Sequence, residues 1–354
     1  MNYKNFQVDK IFRSDELYKS PYNFFASYFR RLFFVVLAIM VTGSATAGSL
    51  TQNNVLQKKS FHFVWRGESP GKISDIITML EKNSYSKLYI GLTKSVCLEY
   101  EFWDCGEAIW TTDELILIIA KAKSHGLEVA LEIKMLNKIK KSFKHLPNLL
   151  YNDETLDPDI PEFSLLYDTT FEYVVNVLGI SEILIGYDEI YGFSSKDKLA
   201  LEQTGQNMLP KELFIDAVNT ASVVGDIHGL SVAIWGDMLL DNNLLPCSGS
   251  KHNHGSSLSG YGQNLLPYIP KNIKIISWYY KNTQDFCGID ILIQNGFEVA
   301  VAVFQPTETR DNLLAHAYKN KIPEAIFTSF RFIRHKRNSP SDLCNMLELG
   351  DCSE

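Results

Sequence analysis

Residues 182–189 read Glu-Ile-Leu-Ile-Gly-Tyr-Asp-Glu, an apolar run that ends in a glycine, a tyrosine and two adjacent acids. Similar β-branched runs recur along the chain from residue 61, and longer amphipathic stretches separate them. A strand-like run followed by a helix-length segment is the pattern of a βαβ unit. The sequence therefore predicts an α/β protein built on parallel strands.

Eight segments have the composition of buried strands: Phe61–Arg66, Lys87–Leu92, Leu127–Met135, Glu182–Asp188, Leu230–Trp235, Ile273–Tyr279, Phe297–Phe304 and Glu324–Phe330. Helix-like segments lie between or after them: Thr112–Ser124, Thr169–Leu178, Lys211–His228, Asp285–Asn295, Arg310–Asn320 and Ser341–Leu349. Eight strands with helices predict a single (β/α)8 barrel over residues 48–354, since such barrels take about 250 residues. The alternative, an open doubly wound sheet, needs a phosphate-binding G-x-G-x-x-G turn after its first strand, and residues 66–71 lack that spacing.

Composition and motifs exclude several functions. The hydrophobic fraction of 45% and charged fraction of 21% are those of a packed globular protein. A net charge of −7 offers no basic excess for a phosphate backbone, so we expect no nucleic-acid partner. No P-loop, G-x-S-x-G or HExxH motif appears, which argues against an NTPase, an α/β-hydrolase and a zincin. We expect no cofactor and no metal.

The N-terminal residues resemble an export signal. Arg30-Arg31 precede the apolar run Leu32–Val41, and residues 42–47 end it in Thr-Gly-Ser-Ala-Thr-Ala. This three-part pattern is typical of a secretory signal. The segment before the arginines is unusually long, so either translation starts later or residues 1–47 form an uncleaved signal anchor. We expect a periplasmic or secreted barrel that contacts a membrane only through an uncleaved leader.

All six cysteines follow this leader, and an even number in an exported chain predicts disulfides. Cys97 and Cys105 share an eight-residue separation with the pair Cys344 and Cys352, which indicates two local loop links. Cys247 and Cys287 would then pair by elimination. Zinc is the competing explanation, but no C-x-x-C spacing supports it.

Aromatic and acidic residues gather where strands are predicted to end, which is where barrel active sites form. Five tryptophans fall at this level: Trp65, Trp103, Trp110, Trp235 and Trp278. Indole faces suit the C–H face of a sugar ring. Four carboxylates join them: Glu132, Asp188, Glu189 and Asp237. Glycosidic cleavage needs an acid to protonate the leaving oxygen, although acids in this position could also bind a metal or cap helices.

Geometry limits how the adjacent acids can act. Successive strand residues point to opposite faces, so Asp188 and Glu189 cannot both face the barrel mouth from a regular strand. We expect the strand to end or bulge between them. Lys138–Lys144, which carries four lysines, is interpreted as a solvated helix face, and His62 as a structural histidine.

Residues 156–280 resemble the centre of glycoside hydrolase family 20, the β-N-acetylhexosaminidases. The similar stretches are Leu156-Asp-Pro, residues 167–178, Ile185-Gly-Tyr-Asp-Glu189, Val232-Ala-Ile-Trp-Gly-Asp-Met238 and Ser277-Trp-Tyr-Tyr280. The family's fourth strand ends in a Gly-Gly-Asp-Glu type of motif, and Tyr187 stands where the family usually has glycine. The second and eighth strands also lack the family's usual polar residues.

The resemblance implies an acid/base role for Glu189, while Asp188 would stabilise the substrate's own 2-acetamido group as it attacks the anomeric carbon. It implies that Trp235 and Trp278 form the walls of the acetamido pocket. It also implies that Tyr279 or Tyr280 donates a hydrogen bond to the acetamido carbonyl. The candidate substrate-binding residues are Trp65, Arg66, Trp235, Asp237, Trp278, Tyr279 and Tyr280. The expected partner is an oligosaccharide or glycoconjugate that contains N-acetylhexosamine.

Two other functions stay open from the sequence. A two-carboxylate glycosidase would keep Glu189 as acid and use Asp237 or Glu308 as nucleophile about 5 Å away. A barrel that binds glycans without cutting them, or an envelope interaction module, is the alternative outside enzymes, and the missing polar residues of strands two and eight favour it.

Overall fold

The computed structural model describes residues 58–65, 69–106, 108–139, 143–144, 147–152, 154–190, 208–241, 244–246, 261–279, 285–303 and 308–329. The predicted leader, residues 1–47, lies outside these ranges. So do the candidate residues Arg66 and Tyr280 and the predicted helix Ser341–Leu349.

Eight parallel strands close into a barrel in chain order, with the first strand paired to the eighth. The strands are β1 (Lys58–Val64), β2 (Lys87–Gly91), β3 (Glu128–Glu132), β4 (Glu182–Leu184), β5 (Ser231–Trp235), β6 (Lys274–Trp278), β7 (Val299–Val303) and β8 (Glu324–Thr328). The prediction of a (β/α)8 barrel is confirmed, and closure rules out the open sheet.

Helices surround this barrel: α1 (Pro70–Lys82), α2 (Thr112–Ser124), α3 (Pro161–Asn176), α4 (Lys211–His228), α5 (Cys287–Gln294) and α6 (Glu308–Lys319). Helix α2 has its predicted bounds because Thr111 and Glu114 cap each other reciprocally at its start. Helix α1 was not predicted, although Ser69 caps it and Pro70 occupies its first turn. Helix α3 begins earlier than predicted, at Pro161, which suits a first helical position.

Strand alternation sorts the side chains into two packed layers. The cluster inside the barrel comprises Tyr89, Ala130, Leu184, Ala233, Trp235, Ile276, Trp278, Ala300, Ala302 and Ile326. A larger cluster between the strands and the helices takes the intervening residues, including Phe61, Phe63 and Trp65 of the first strand region. A strand residue therefore faces either the barrel axis or the helices according to its parity.

Paired charges fill the amino-terminal end of the barrel. Lys87 Nζ lies 2.7 Å from Glu182, and Lys274 Nζ lies 2.9 Å from the same carboxylate. Glu324 is 3.2 Å from Lys274 Nζ and accepts a 2.6 Å hydrogen bond from Ser60. These charges sit at the beginnings of the strands, so the candidate residues at the strand ends form a separate group at the opposite end.

The predicted disulfide between Cys97 and Cys105 is present in the loop between β2 and α2. Cys287 is also disulfide-bonded, while its predicted partner Cys247 and the pair Cys344 and Cys352 lie outside the described residues. None of the helices in the described ranges combines the length and apolarity needed to cross a bilayer.

Candidate active site

A turn with left-handed backbone geometry follows β4, and we call residues 185–189 the acidic turn. The strand ends at Leu184, before the acids rather than between them. Gly186, Tyr187 and Glu189 have φ values of 84°, 73° and 49°. This departure from strand geometry removes the alternation that would otherwise send Asp188 and Glu189 to opposite faces.

Tyr187 fixes the acidic turn to the helices behind it. Its ring is fully buried against Phe214, with ring centroids 5.8 Å apart. Its hydroxyl lies 2.8 Å from the Tyr167 hydroxyl and donates to the Ala217 carbonyl at 3.0 Å. A tyrosine with positive φ is strained, so these contacts hold a conformation that a glycine would adopt freely.

Two lysines from the segment after β3 neutralise Asp188. Lys134 Nζ lies 2.6 Å from Oδ1 and Lys138 Nζ lies 2.9 Å from Oδ2, and the Asp188 side chain is 15% exposed. Burial alone would raise the pKa of Asp188, but the two ammonium groups outweigh it and hold the pKa well below its usual range. Asp188 is therefore a carboxylate throughout the neutral and mildly acidic range.

Glu189 is the more accessible acid, with 32% of its side chain exposed. Its Oε2 lies 2.9 Å from Lys138 Nζ. The Asn137 amide donates to the backbone carbonyls of Asp188 and Glu189, and the Glu189 amide N–H donates to Asp237 Oδ2 at 2.9 Å. The backbone of Glu189 is thus held on two sides, while its carboxyl reaches solvent.

Asp237 lies just beyond β5 and is almost completely buried. Besides the Glu189 amide, the Trp278 indole N–H donates to its Oδ1 at 3.4 Å. Burial and the nearby charge of Asp188 raise the pKa of Asp237 to about 7. Asp237 therefore links the candidate acid to an indole ring and carries its own proton in mildly acidic conditions.

Glu132 anchors a second group of contacts inside the barrel. Its carboxylate lies 2.8 Å from His62 Nε2 and 2.8 Å from Lys134 Nζ, and it accepts from the Trp235 indole N–H at 2.9 Å. Burial would raise the pKa of Glu132, but Lys134 and His62 hold it well below its usual range. The contacts fix the orientation of Trp235, whose ring also lies under Lys134 Nζ at 5.8 Å.

The aromatic candidates divide between the two layers. Trp235 and Trp278 lie inside the barrel, with 2% and 6% of their surface exposed. The indole of Trp235 donates to Glu132, and the indole of Trp278 donates to Asp237. Trp65 and Tyr279 belong to the layer between barrel and helices, where Tyr279 packs on Phe286 with ring centroids 5.0 Å apart. The structure therefore brings only two of these four rings to the acidic turn.

Three residues of the site were missed or misassigned in the sequence. Lys138 is not on a solvated helix face, because its side chain is 14% exposed and contacts both acids of the acidic turn. Lys134 and Asn137 precede it in the segment after β3, and both contact Asp188 in the acidic turn. The available signal was their position directly after the predicted third strand, at the same end of the barrel as the acids. In the part of the chain that the structure describes, no group of three metal-ligating side chains occurs.

Asp237→Asn tests the charge arrangement at this site. Because the folded state raises the pKa of Asp237 from about 3.9 to about 7, it binds more protons than the unfolded state between these values. The group therefore lowers the unfolding free energy as pH rises through that range. We expect the melting temperature of Asp237→Asn, relative to wild type, to rise by about 2–4 °C from pH 5 to pH 8. A constant difference across this range would contradict the raised pKa.

Solved structures with a similar fold include several that are named as hexosaminidases. The exo-β-N-acetylglucosaminidase of Vibrio harveyi, of glycoside hydrolase family 20, matches with a TM-score of 0.55 and 17% identity over 82% of this chain and 52% of that chain. Dispersin B matches with a TM-score of 0.53 and 16% identity, over 79% of this chain and 94% of that chain. The β-N-acetylhexosaminidase of Bacteroides fragilis matches with a TM-score of 0.51 and 14% identity over 78% and 61%.

The comparisons confirm the predicted likeness at the level of the fold. The chain spans about half the length of the Vibrio harveyi enzyme. No protein-family model matches the sequence, and no curated protein sequence matches it significantly. At these identities the shared barrel is shown, and the chemistry of this chain rests on its own residues.

Proposed function

We propose that this chain is an exported glycoside hydrolase that cleaves N-acetylhexosaminides, with residues 1–47 as its leader. In this proposal Glu189 protonates the glycosidic oxygen and later activates water. Asp188 accepts a hydrogen bond from the substrate's acetamido N–H, so that the acetamido oxygen attacks the anomeric carbon. The enzyme then supplies no carboxylate nucleophile.

The contrast between the two adjacent acids supports this assignment most strongly. Asp188 is buried, ionised and contacted on both oxygens by lysines, whereas Glu189 is partly exposed. A buried permanent carboxylate suits the stabilisation of positive charge that develops on the acetamido nitrogen. An accessible carboxyl suits exchange of protons with a leaving group and then with water.

Binding of the sugar is assigned to the indoles that face the barrel axis. Trp235 and Trp278 are each fixed by a hydrogen bond from the ring N–H to a carboxylate, Glu132 and Asp237 respectively. Fixed apolar rings that are linked to the acidic turn through Lys134 and Asp237 suit the methyl group and C–H faces of an N-acetylated sugar. Solved structures of similar fold include an enzyme in complex with N-acetylglucosamine, which agrees with this substrate class.

A panel of nitrophenyl β-glycosides tests the proposal. We expect hydrolysis of the N-acetylglucosaminide or N-acetylgalactosaminide, and kcat/KM at least about 100-fold lower for the matching glucoside or galactoside. The reason is that a 2-hydroxyl cannot provide the intramolecular nucleophile, whose effective concentration is far above that of water.

Tryptophan fluorescence titrations in the same samples separate the alternatives. Binding of amino sugars without turnover would favour a glycan-binding barrel over an enzyme. Equal hydrolysis of acetamido and hydroxyl sugars would favour a two-carboxylate glycosidase instead.

A further inference from the structure

A series of alternating basic and acidic side chains crosses the mouth of the barrel from β1 to the acidic turn. The side chains in order are His62, Glu132, Lys134, Asp188, Lys138 and Glu189. Successive polar atoms lie 2.8, 2.8, 2.6, 2.9 and 2.9 Å apart. Glu189 stands at the solvent end of the series, and Lys138 is the last cation before it.

Lys138 bridges the two proposed reacting groups. One ammonium group contacts Asp188 Oδ2 and Glu189 Oε2, both at 2.9 Å. Among the described residues, it is the only side chain hydrogen-bonded to the Glu189 carboxylate. Lys138 also has a φ of 56°, which a lysine rarely adopts, so the surrounding contacts hold it in a strained conformation.

This contact is at odds with proton donation. A general acid must direct a carboxyl O–H at the leaving oxygen, whereas Glu189 Oε2 here accepts a 2.9 Å hydrogen bond from the Lys138 ammonium group. Lys138 itself stays charged: burial would lower its pKa, but Asp188 and Glu189 raise it above its ordinary value. The contact between Lys138 and Glu189 must therefore break for the acid to work.

We propose that Lys138 is a positioning residue that holds Glu189 beside Asp188 in the free enzyme and releases it when a sugar enters. Lys138 then stays on Asp188, while the partly exposed Glu189 side chain rotates to the glycosidic oxygen. The inference rests on the proposed function and adds a step before Glu189 protonates the glycosidic oxygen.

Other charged side chains lie around the Glu189 carboxyl and must be unchanged in the variant. Asp188 lies on the same turn, Lys134 on the segment after β3, and Asp237 on the segment after β5. Lys138→Met removes the ammonium group with little change in length and leaves these three residues in place. Lys58→Met is the matched control, because Lys58 pairs with Glu128 at the opposite end of the barrel.

The experiment compares kcat and KM on a nitrophenyl N-acetylhexosaminide for the full-length protein. We expect kcat of Lys138→Met to fall about tenfold because Glu189 loses its fixed starting geometry, with little change in KM. Lys138→Arg should recover most of this loss, since arginine keeps the charge and the N–H donors that reach both carboxylates.

The outcomes separate the two proposals. If wild type shows no turnover of any N-acetylhexosaminide, the proposed function fails and this inference fails with it. If wild type is active but kcat of Lys138→Met matches that of wild type and Lys58→Met, only the inference is overturned. Lys138→Gln, which is neutral but still polar, provides the same test should the methionine variant not fold.

Discussion

Glu189→Gln is expected to lower kcat by a factor of about 100 to 10,000, the usual contribution of a general acid or base. Glutamine keeps the size of the side chain and can still accept from Lys138, so binding should survive and KM should change little. The measurement is steady-state hydrolysis of a nitrophenyl N-acetylhexosaminide. Glu172→Gln makes the same chemical change on the exposed surface of α3 and should leave kcat unchanged.

Substrates with different leaving groups test specifically whether Glu189 is the proton donor. A dinitrophenolate departs without protonation, so the loss caused by Glu189→Gln should shrink on a dinitrophenyl substrate and grow on an alkyl glycoside. Equal losses across leaving groups would mean that Glu189 does not protonate the departing oxygen.

Lys134→Met is expected to cost about 3–5 kcal/mol of unfolding free energy, which is the largest stability effect we expect in the barrel. The substitution leaves Glu132 and Asp188, both largely buried, each without one of its cations. Asp188 keeps Lys138, and Glu132 keeps His62 and the Trp235 indole, so the fold should persist with reduced stability.

Urea unfolding compares the free energy lost in Lys134→Met with the free energy lost when an exposed ion pair is broken. Lys58→Met breaks an ion pair whose side chains are 41% and 54% exposed, and such pairs contribute about 0–1 kcal/mol. Adding Glu132→Gln to Lys134→Met should recover part of the loss, because the unpaired charge is removed while an acceptor for Trp235 remains. Similar small losses for Lys134→Met and Lys58→Met would contradict the account of a buried charge series.

The barrel itself could be predicted because its signal is repeated. Each buried strand is a short β-branched run, and eight such runs in one chain leave few alternatives. The bounds of α2 followed from its capping residues, whereas α1 was missed although Ser69 and Pro70 mark its start. Where a cap and an apolar period coincide, local sequence is sufficient to fix a helix.

The site was predictable only in part, because two different geometrical rules apply there. Alternation explains why Trp278 faces the barrel axis and Tyr279 faces the helices, and parity with Phe61 and Phe63 places Trp65 outward. This rule could have been applied to the sequence. The rule fails at the acidic turn, where Tyr187 and Glu189 adopt positive φ.

Lys138 shows why the remainder of the site was not predictable. A run of lysines after a strand is usually solvated, and nothing in its local sequence shows that the backbone turns left-handed at Lys138. Its pairing with Asp188 and Glu189 joins residues about fifty positions apart. Such contacts depend on the pairing of β3 with β4, which brings the segments that follow these two strands together.

The product formed first by the wild-type protein tests the central claim that cleavage proceeds with retention, as attack by the substrate's own acetamido group requires. Proton NMR during early hydrolysis of a β-linked N-acetylhexosaminide distinguishes the two anomers before they equilibrate. Two successive displacements at the anomeric carbon predict that the β-anomer appears first. Initial release of the α-anomer would mean direct attack by water and would contradict the account.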